Sequence, residues 1–370
     1  MKVYCEGLDL SSAVLTVIKA SSTKGINPIL EGIKLSAKAD CLTLTCTDQE
    51  LAIEKKIRAD VKVEGETVVP GKLFSEFIKM LDREQIELTL NENNSLKIKY
   101  TDSETYIQCQ NANEFPTIQK IDNAQFFSIK QNELKDLIEK TIFSVAQDDT
   151  RPILKGCLMQ IEKNLITCVA LDGYRMAIAT KTLTEASASY GVVVPSRSLV
   201  ELSKLLEENA DEIRVFVQKN FLMIQSGDTK ITTRLLGSDK DYVNYKQIIP
   251  SNFSSQLVIN KTQLENGLER ASILARQNND NSVKFSIKEN VLTLSAKAEI
   301  GNVTENVTIS LQGNDLNISF NSYFFRECLR SVKDEYIKLK FNASINPCVI
   351  VPSDENSSYL FIILPVKSIY

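Results

Sequence analysis

Asn27-Pro28-Ile29-Leu30-Glu31-Gly32-Ile33 returns later in the chain as Arg151-Pro152-Ile153-Leu154-Lys155-Gly156-Cys157. Asp48 returns as Asp172, and Val68-Val69-Pro70 as Val193-Val194-Pro195, at the same spacing to within one residue. Three anchors in one register define an internal repeat of domain size, and such a repeat fixes the architecture before any single element is assigned. A third copy is more diverged and is found by pattern. Val283-Lys284-Phe285-Ser286-Ile287 leads into Val291-Leu292-Thr293-Leu294-Ser295-Ala296, and Phe320-Asn321 stands where the Val-Pro pairs stood. The copies divide the 370 residues into 1–121, 122–250 and 251–370, each about the size of one ordinary domain.

The order of elements is the same in each copy. A helix comes first, with apolar residues spaced to cover one buried face: Leu10, Ala13, Val14, Val17 and Ile18, then Leu134, Leu137, Ile138 and Ile142, then Leu264, Leu268, Ala271 and Ala275. Asn132 and Thr262 are the expected N-caps of the second and third of these. Alternating strands follow, as in Leu42-Thr43-Leu44-Thr45 and Asn164-Leu165-Ile166-Thr167-Cys168-Val169. A second helix is expected after each Val-Pro or Phe-Asn anchor, carried by Phe74, Phe77, Ile78 and Leu81, by Leu199, Leu202 and Leu206, and by Phe325, Cys328, Leu329 and Val332. More strands close each unit, so each domain is itself doubled. Two helices packed on one face of a mainly antiparallel sheet give an α+β fold class.

Composition removes several kinds of chemistry. Histidine is absent, and with it the commonest general acid/base, the Ser-His and Cys-His nucleophile systems and the commonest metal ligand. The eight cysteines form no C-x-x-C pair and several lie in apolar runs, so free buried thiols of a reducing compartment are expected rather than zinc or disulfides. Gly65 to Gly71-Lys72-Leu73 has one residue too many for a phosphate-binding loop and Leu where a Ser/Thr must reach Mg²⁺. Asp148-Asp149 could hold a metal, but directly before Arg151-Pro152 the pair reads as a polar loop. No catalytic residue, cofactor or metal site is expected. No apolar run is long enough to cross a bilayer, and Glu6 and Asp9 interrupt any leader-like start, so a cytoplasmic protein with no membrane partner is expected.

Leu171-Asp172-Gly173-Tyr174-Arg175-Met176 has an Asp-Gly turn between apolar runs, a strong hairpin signal. Its echo in the first copy, Thr47-Asp48-Gln49-Glu50-Leu51-Ala52, keeps the Asp but not the Tyr-Arg-Met. What repeats belongs to the fold; Tyr174, Arg175 and Met176 do not repeat and mark the expected partner site.

Arg151-Pro152-Ile153-Leu154, Leu171 to Ala177, Glu114-Phe115-Pro116 and the tail Ile362-Ile363-Leu364-Pro365-Val366-Lys367 occur in an order and spacing that resemble the bacterial DNA polymerase III beta subunit family, the DNA sliding clamps. The resemblance covers the full chain. It implies three DNA-clamp domains per chain and a head-to-tail homodimeric ring that encircles duplex DNA without reading its sequence. Such a ring tethers the replicative polymerase and confers processivity without catalysis. Pore-facing cations are then sought on the helices or their ends, at Lys24, Lys72, Lys79, Arg197, Lys204, Arg270 and Arg276. The helical stretches are close to neutral and the remainder of the chain is net acidic, a contrast of the right sign. Ile107, Ile273 and Leu274 are the apolar residues expected across the dimer contact.

The same resemblance implies a groove between the second and third copies that takes short linear peptides of polymerase, clamp loader and repair proteins. Carried over residue by residue, its wall comprises Leu154, Gly173, Tyr174, Arg175, Met176, Val243, Ile248, Phe324, Ile345, Ile362, Leu364, Pro365 and Val366, with Arg175 and backbone groups orienting the peptide. Leu171, Val243, Gln247, Thr105 and the tail Ser368-Ile369-Tyr370 depart from the family's common pattern. Two other readings compete: a three-domain peptide-binding scaffold that encircles nothing, and a metal-dependent enzyme using Asp48, Asp148, Asp149 or Asp172.

Overall fold

The structure, a computed structural model, describes residues 1–22, 27–81, 83–119, 121, 125–185, 189–278, 281–354 and 358–367. Six α-helices occur among them: α1 (Gly7–Val17), α2 (Gly71–Ile78), α3 (Gln131–Glu139), α4 (Ser196–Leu205), α5 (Lys261–Ala275) and α6 (Ser322–Arg330). They fall two to a copy. Each starts directly where a strand ends: Lys2–Glu6, Gly65–Pro70, Gln125–Lys130, Tyr190–Pro195, Ser255–Asn260 and Leu316–Asn321.

Three of those strands, Lys2–Glu6, Gln125–Lys130 and Ser255–Asn260, precede the helices with which the copies were expected to open. The signal was present in Lys2-Val3-Tyr4-Cys5-Glu6, where Val3 and Cys5 point inward and their neighbours outward. Helix capping also differs from expectation. Asn260, not Thr262, caps α5, its side chain accepting the Gln263 amide at 3.1 Å. Asn132 lies inside the first turn of α3. Both corrections have one cause, since the chain turns from strand into helix with no linker, and in α5 the cap is the strand's last residue.

All strand pairs are antiparallel, and the two halves of each copy exchange partners in the same way. In copy one, Lys2–Glu6 pairs with Gln85–Leu90, and Gly32–Lys38 pairs with Gly65–Pro70. Copy two repeats this with Gln125–Lys130 on Glu212–Gln218 and Gly156–Glu162 on Tyr190–Pro195. Copy three does so with Ser255–Asn260 on Tyr336–Phe341 and Ser282–Lys288 on Leu316–Asn321. The doubled unit read from sequence is thus a doubled, interlocked unit.

Helix faces supply the cores. Leu10, Ala13, Val14 and Val17 of α1 are buried and α1 packs on Cys41–Thr47 and Leu51–Arg58. In copy three Phe285, Phe320, Phe325 and Phe341 are fully buried, with Phe285 and Phe325 ring centroids 4.9 Å apart. Each such ring contributes about 1.5–3 kcal/mol of burial.

Sheets also continue from copy to copy. Leu51–Arg58 of copy one pairs with Thr229–Arg234 of copy two, and Arg175–Thr182 of copy two pairs with Tyr359–Ile363 of copy three. The chain consequently packs as two compact units, residues 1–132 with 201–235 and residues 133–200 with 236–370. Copy two is divided between them because each of its halves completes a neighbour's sheet.

Among the described residues, two strands of the same kinds lack a second partner over all or part of their length. Ser103–Gln108, the counterpart of Thr229–Arg234 and Tyr359–Ile363, pairs only with Ser95–Tyr100 among the described residues. Gly301–Gly313, the counterpart of Leu51–Arg58 and Arg175–Thr182, pairs with Ser255–Ile259 only from Ile309 onward. Over Gly301–Thr308 its single described neighbour is Val291–Ala298.

Candidate functional site

The hairpin at Asp172 is built by its own carboxylate. Asp172 Oδ1 accepts the Tyr174 and Arg175 amides at 2.9 and 3.0 Å, while Gly173 takes φ +91°. Asp48 does the same in copy one, accepting the Glu50 and Leu51 amides at 3.0 and 2.8 Å, with Gln49 at φ +78° in place of the glycine. The repeated Asp is therefore a turn former in both copies. Nor are the other acidic candidates idle. Asp148 accepts the Thr150 amide and hydroxyl, which hold its carboxyl below the ordinary value, and Asp149 pairs with Lys155.

The side chains after the turn separate by position, because Tyr174 still lies in the bend and the strand begins only at Arg175. Tyr174 is 63% exposed, whereas Arg175 and Met176 are buried. Arg175 was expected to orient a peptide; instead its guanidinium is consumed within the chain. Nε donates to Asp172 Oδ2 at 3.0 Å, and the terminal nitrogens donate to Glu327 and to the Phe143 carbonyl, both at 2.5 Å. The same group lies 4.6 Å from the Phe324 ring centroid and 5.3 Å from that of Phe143. A cation so enclosed fixes the hairpin to α6. Phe143 and Glu327 are the residues that sequence reasoning missed; both lie in ordinary amphipathic stretches whose pattern names no partner.

The expected groove residues lie around this pin. Leu154, Met176 and Ile362 belong to one buried cluster with Leu171, and half-buried Val243 packs against it, so these form a floor beneath the surface. The surface itself is Tyr174, stacked on Phe324 with centroids 5.8 Å apart, together with exposed Leu364; Ile248 and Ile345 are also exposed. The tail is fastened across them: the Leu364 amide donates to the Tyr174 carbonyl at 2.9 Å and the Val366 amide to the Ser319 carbonyl at 2.8 Å. Pro365 and Val366 then line a cleft of about 600 Å³ with Ile345. Tail residues Ser368, Ile369 and Tyr370 lie outside the described residues.

Of the pore candidates, Lys24 also lies outside the described residues. Lys72, Lys79, Arg197 and Arg276 are exposed on α2, α4 and the turns after α2 and α5. Lys204 is engaged by Glu201 at 2.8 Å, and Arg270 by both oxygens of Glu305 at 2.8 and 2.7 Å. Among the dimer candidates Ile273 is 61% exposed and Leu274 half-buried. Ile107 is corrected: at 5% exposure it belongs to the core of copy one, and its exposed strand neighbour is Tyr106. Alternation is the reason, since one of two adjacent strand residues must face inward.

Three copies of one doubled, two-helix antiparallel unit, with strands that carry on from copy to copy, define a DNA-clamp fold. Models of the DNA polymerase III beta subunit match in sequence order, its N-terminal domain at residues 1–119, central domain at 128–240 and C-terminal domain at 246–367. The beta sliding clamp of Staphylococcus aureus strain Mu50 is 30% identical over 361 residues, 95% of each chain. The crystal structure of the Bacillus subtilis DNA polymerase sliding clamp aligns with a TM-score of 0.96 at 28% identity, covering 100% of this chain and 99% of that one. The beta subunit of Thermotoga maritima aligns at 0.91 and 29% identity, covering 99% of each. The chain belongs to the DNA polymerase III beta subunit family of sliding clamps.

Proposed function

We propose that two copies of this chain close head to tail into a ring around duplex DNA and hold a replicative polymerase on it, in the cytoplasm and with no catalysis of their own. The observation that carries this reading is the unmatched pair of strand edges. Copies one and two, and copies two and three, are joined by the same two kinds of strand. One strand of each kind is left over, Ser103–Gln108 in copy one and Gly301–Thr308 in copy three. Both hang on two-residue hairpin turns, Tyr100↔Ser103 and Ala298↔Gly301, which fixes the direction of their backbone groups. The amides of Glu104, Tyr106 and Gln108 and those of Asn302, Thr304 and Asn306 accordingly point away from the one partner strand that each has among the described residues. A second copy satisfies each edge with the other, and open edges of this kind are otherwise a liability.

In this reading the domains change over near residues 121 and 250, and exposed Lys72, Lys79, Arg197 and Arg276 give sequence-independent phosphate contacts. Tyr174, Phe324, Leu364 and Ile345 offer an apolar surface to short peptides of polymerase, clamp loader and repair proteins. Retention on circular DNA tests the ring. Protein loaded on a nicked circle is expected to stay through gel filtration and to leave when a restriction enzyme linearises the circle. Equal retention on both forms would favour the non-encircling scaffold instead.

A further inference from the structure

The two junctions between copies are built alike, residue for residue. Cys41↔Arg58, Leu165↔Thr182 and Val291↔Thr308 pair across the three hairpins at identical spacing, so Glu50, Tyr174 and Ile300 hold one position in the turn. The strand that crosses to the hairpin opens at Thr229 in copy two and at Tyr359 in copy three. Ser103 is its counterpart in copy one, since Tyr100↔Ser103 and Ser226↔Thr229 close the same two-residue turn. Thr229 lies opposite Lys55, and Tyr359 lies opposite Ala179, which matches Lys55 in the hairpin of copy two. The ladder ends agree as well. Lys56 and Thr180 donate their amides to the Asp228 and Ser358 carbonyls at 3.0 and 2.9 Å. Arg234 and Leu364 donate theirs to the Glu50 and Tyr174 carbonyls at 2.8 and 2.9 Å.

Copied onto the two leftover strands, this register sets Ser103 opposite the partner's Glu305 and Thr105 opposite the partner's Val303. Two features that played no part in the copying agree with it. Glu104 and Tyr106 fall opposite the partner's Thr304 and the partner's Asn302, which joins outward amides to outward amides. Half-buried Thr105 and Val303 then share the inner face, and exposed Tyr106 and Asn302 the outer one. A slip of one residue would break both matches.

The side chains at the turn complete the correspondence. Tyr174 stacks on Phe324, the third residue of α6. In copy three the turn carries Ile300, 76% exposed, and the third residue of α2 is Leu73, 52% exposed. We propose that a second copy closes on this chain in the register of its own internal junctions, with Thr105 opposite the partner's Val303 and Leu73 packed on the partner's Ile300. This inference rests on the ring reading above and adds to it the residue pairing and the apolar anchor of the contact.

The test uses the full chain with paired cysteines and diamide as oxidant, read on non-reducing gels beside the unsubstituted chain. Opposite residues that exchange no backbone bonds stand about 4.5 Å apart, within reach of a disulfide. Thr105→Cys with Val303→Cys, and Ser103→Cys with Glu305→Cys, are expected to form covalent dimers roughly tenfold faster than the displaced pairs, Thr105→Cys with Glu305→Cys and Ser103→Cys with Val303→Cys. Ile300→Ala and Leu73→Ala should each raise the dimer dissociation constant roughly a hundredfold by sedimentation, since the ring has the contact twice and each anchor is worth about tenfold. Combined, they should cost little more than either alone, because the two side chains meet each other. Faster crosslinking of a displaced pair overturns the register and leaves the ring standing. Additive losses from the two alanines, or none, overturn the anchor. A dimer that no pair crosslinks overturns the strand contact, whereas equal retention on closed and linear DNA overturns the ring reading itself.

Discussion

Arg175 carries three interactions at once, with Asp172, Glu327 and the Phe143 carbonyl, and its side chain is only 6% exposed. Removing it leaves two partly buried carboxylates without their cation, which is costly in proportion to their burial. Arg175→Ala is therefore expected to lower stability by about 2–3 kcal/mol in a urea titration, a loss in the range for a charged group left unpaired. Its exposed neighbour behaves in the opposite way. Tyr174→Ala should change stability by less than about 0.5 kcal/mol. The same substitution should weaken a bound apolar peptide roughly tenfold. Equal stability losses at the two positions would contradict the division of labour drawn from their exposures. Thiols give a separate check at this scale. Seven of the eight free cysteines are buried, and burial pushes the Cys5 and Cys46 thiols up to about 12. At pH 8 a thiol reagent should label the folded chain at Cys41 first, and all eight positions only after denaturation. The sequence made Asp172 readable as a turn former and Tyr174 as distinctive. It could not separate Tyr174 from Arg175, because the partners that hold Arg175 inward, Glu327 and the Phe143 carbonyl, lie far away in the chain.

At the scale of elements, the open edges are where structure and assembly meet. Thr304 sits in Gly301–Gly313 with its amide directed away from Val291–Ala298, so proline there removes no ladder bond of the folded chain. Thr304→Pro is expected to leave the circular dichroism spectrum unchanged and to shift the sedimenting species from dimer to monomer at micromolar concentration. A dimer that persists unaltered would mean that this edge is not the contact. The helices were legible because their apolar positions recur at helical spacing, and α2 and α6 begin where the Val-Pro and Phe-Asn anchors placed them. The opening strands of the copies were not read, because five or six alternating residues before a helix carry a weak signal beside the helix itself. The cap of α5 shifted for the same reason, since Asn260 is at once the strand's end and the helix's start.

For the whole molecule, topology rather than charge is expected to hold the DNA. The chain carries a net charge of −4, a poor basis for tight attachment to a polyanion. Raising salt from about 50 to 200 mM strips a protein held by six to ten phosphate contacts of roughly 10³–10⁵ in affinity. Retention of the loaded ring on a closed circle should fall by less than about twofold over that range, and a loss on the larger scale would mean that Coulombic contacts, not closure, keep it there. The threefold repeat, the doubled unit inside each copy and the turn at Asp172 were determined by the sequence alone, because each is a local pattern written more than once. Which of two neighbouring residues faces out, Tyr174 or Arg175 and Tyr106 or Ile107, was decided only by the tertiary structure, as was which strand edges stay open. Those outcomes depend on strand register and on contacts between residues far apart in the chain, as Arg175 with Glu327. A one-residue slip in such a register would invert every side chain along it.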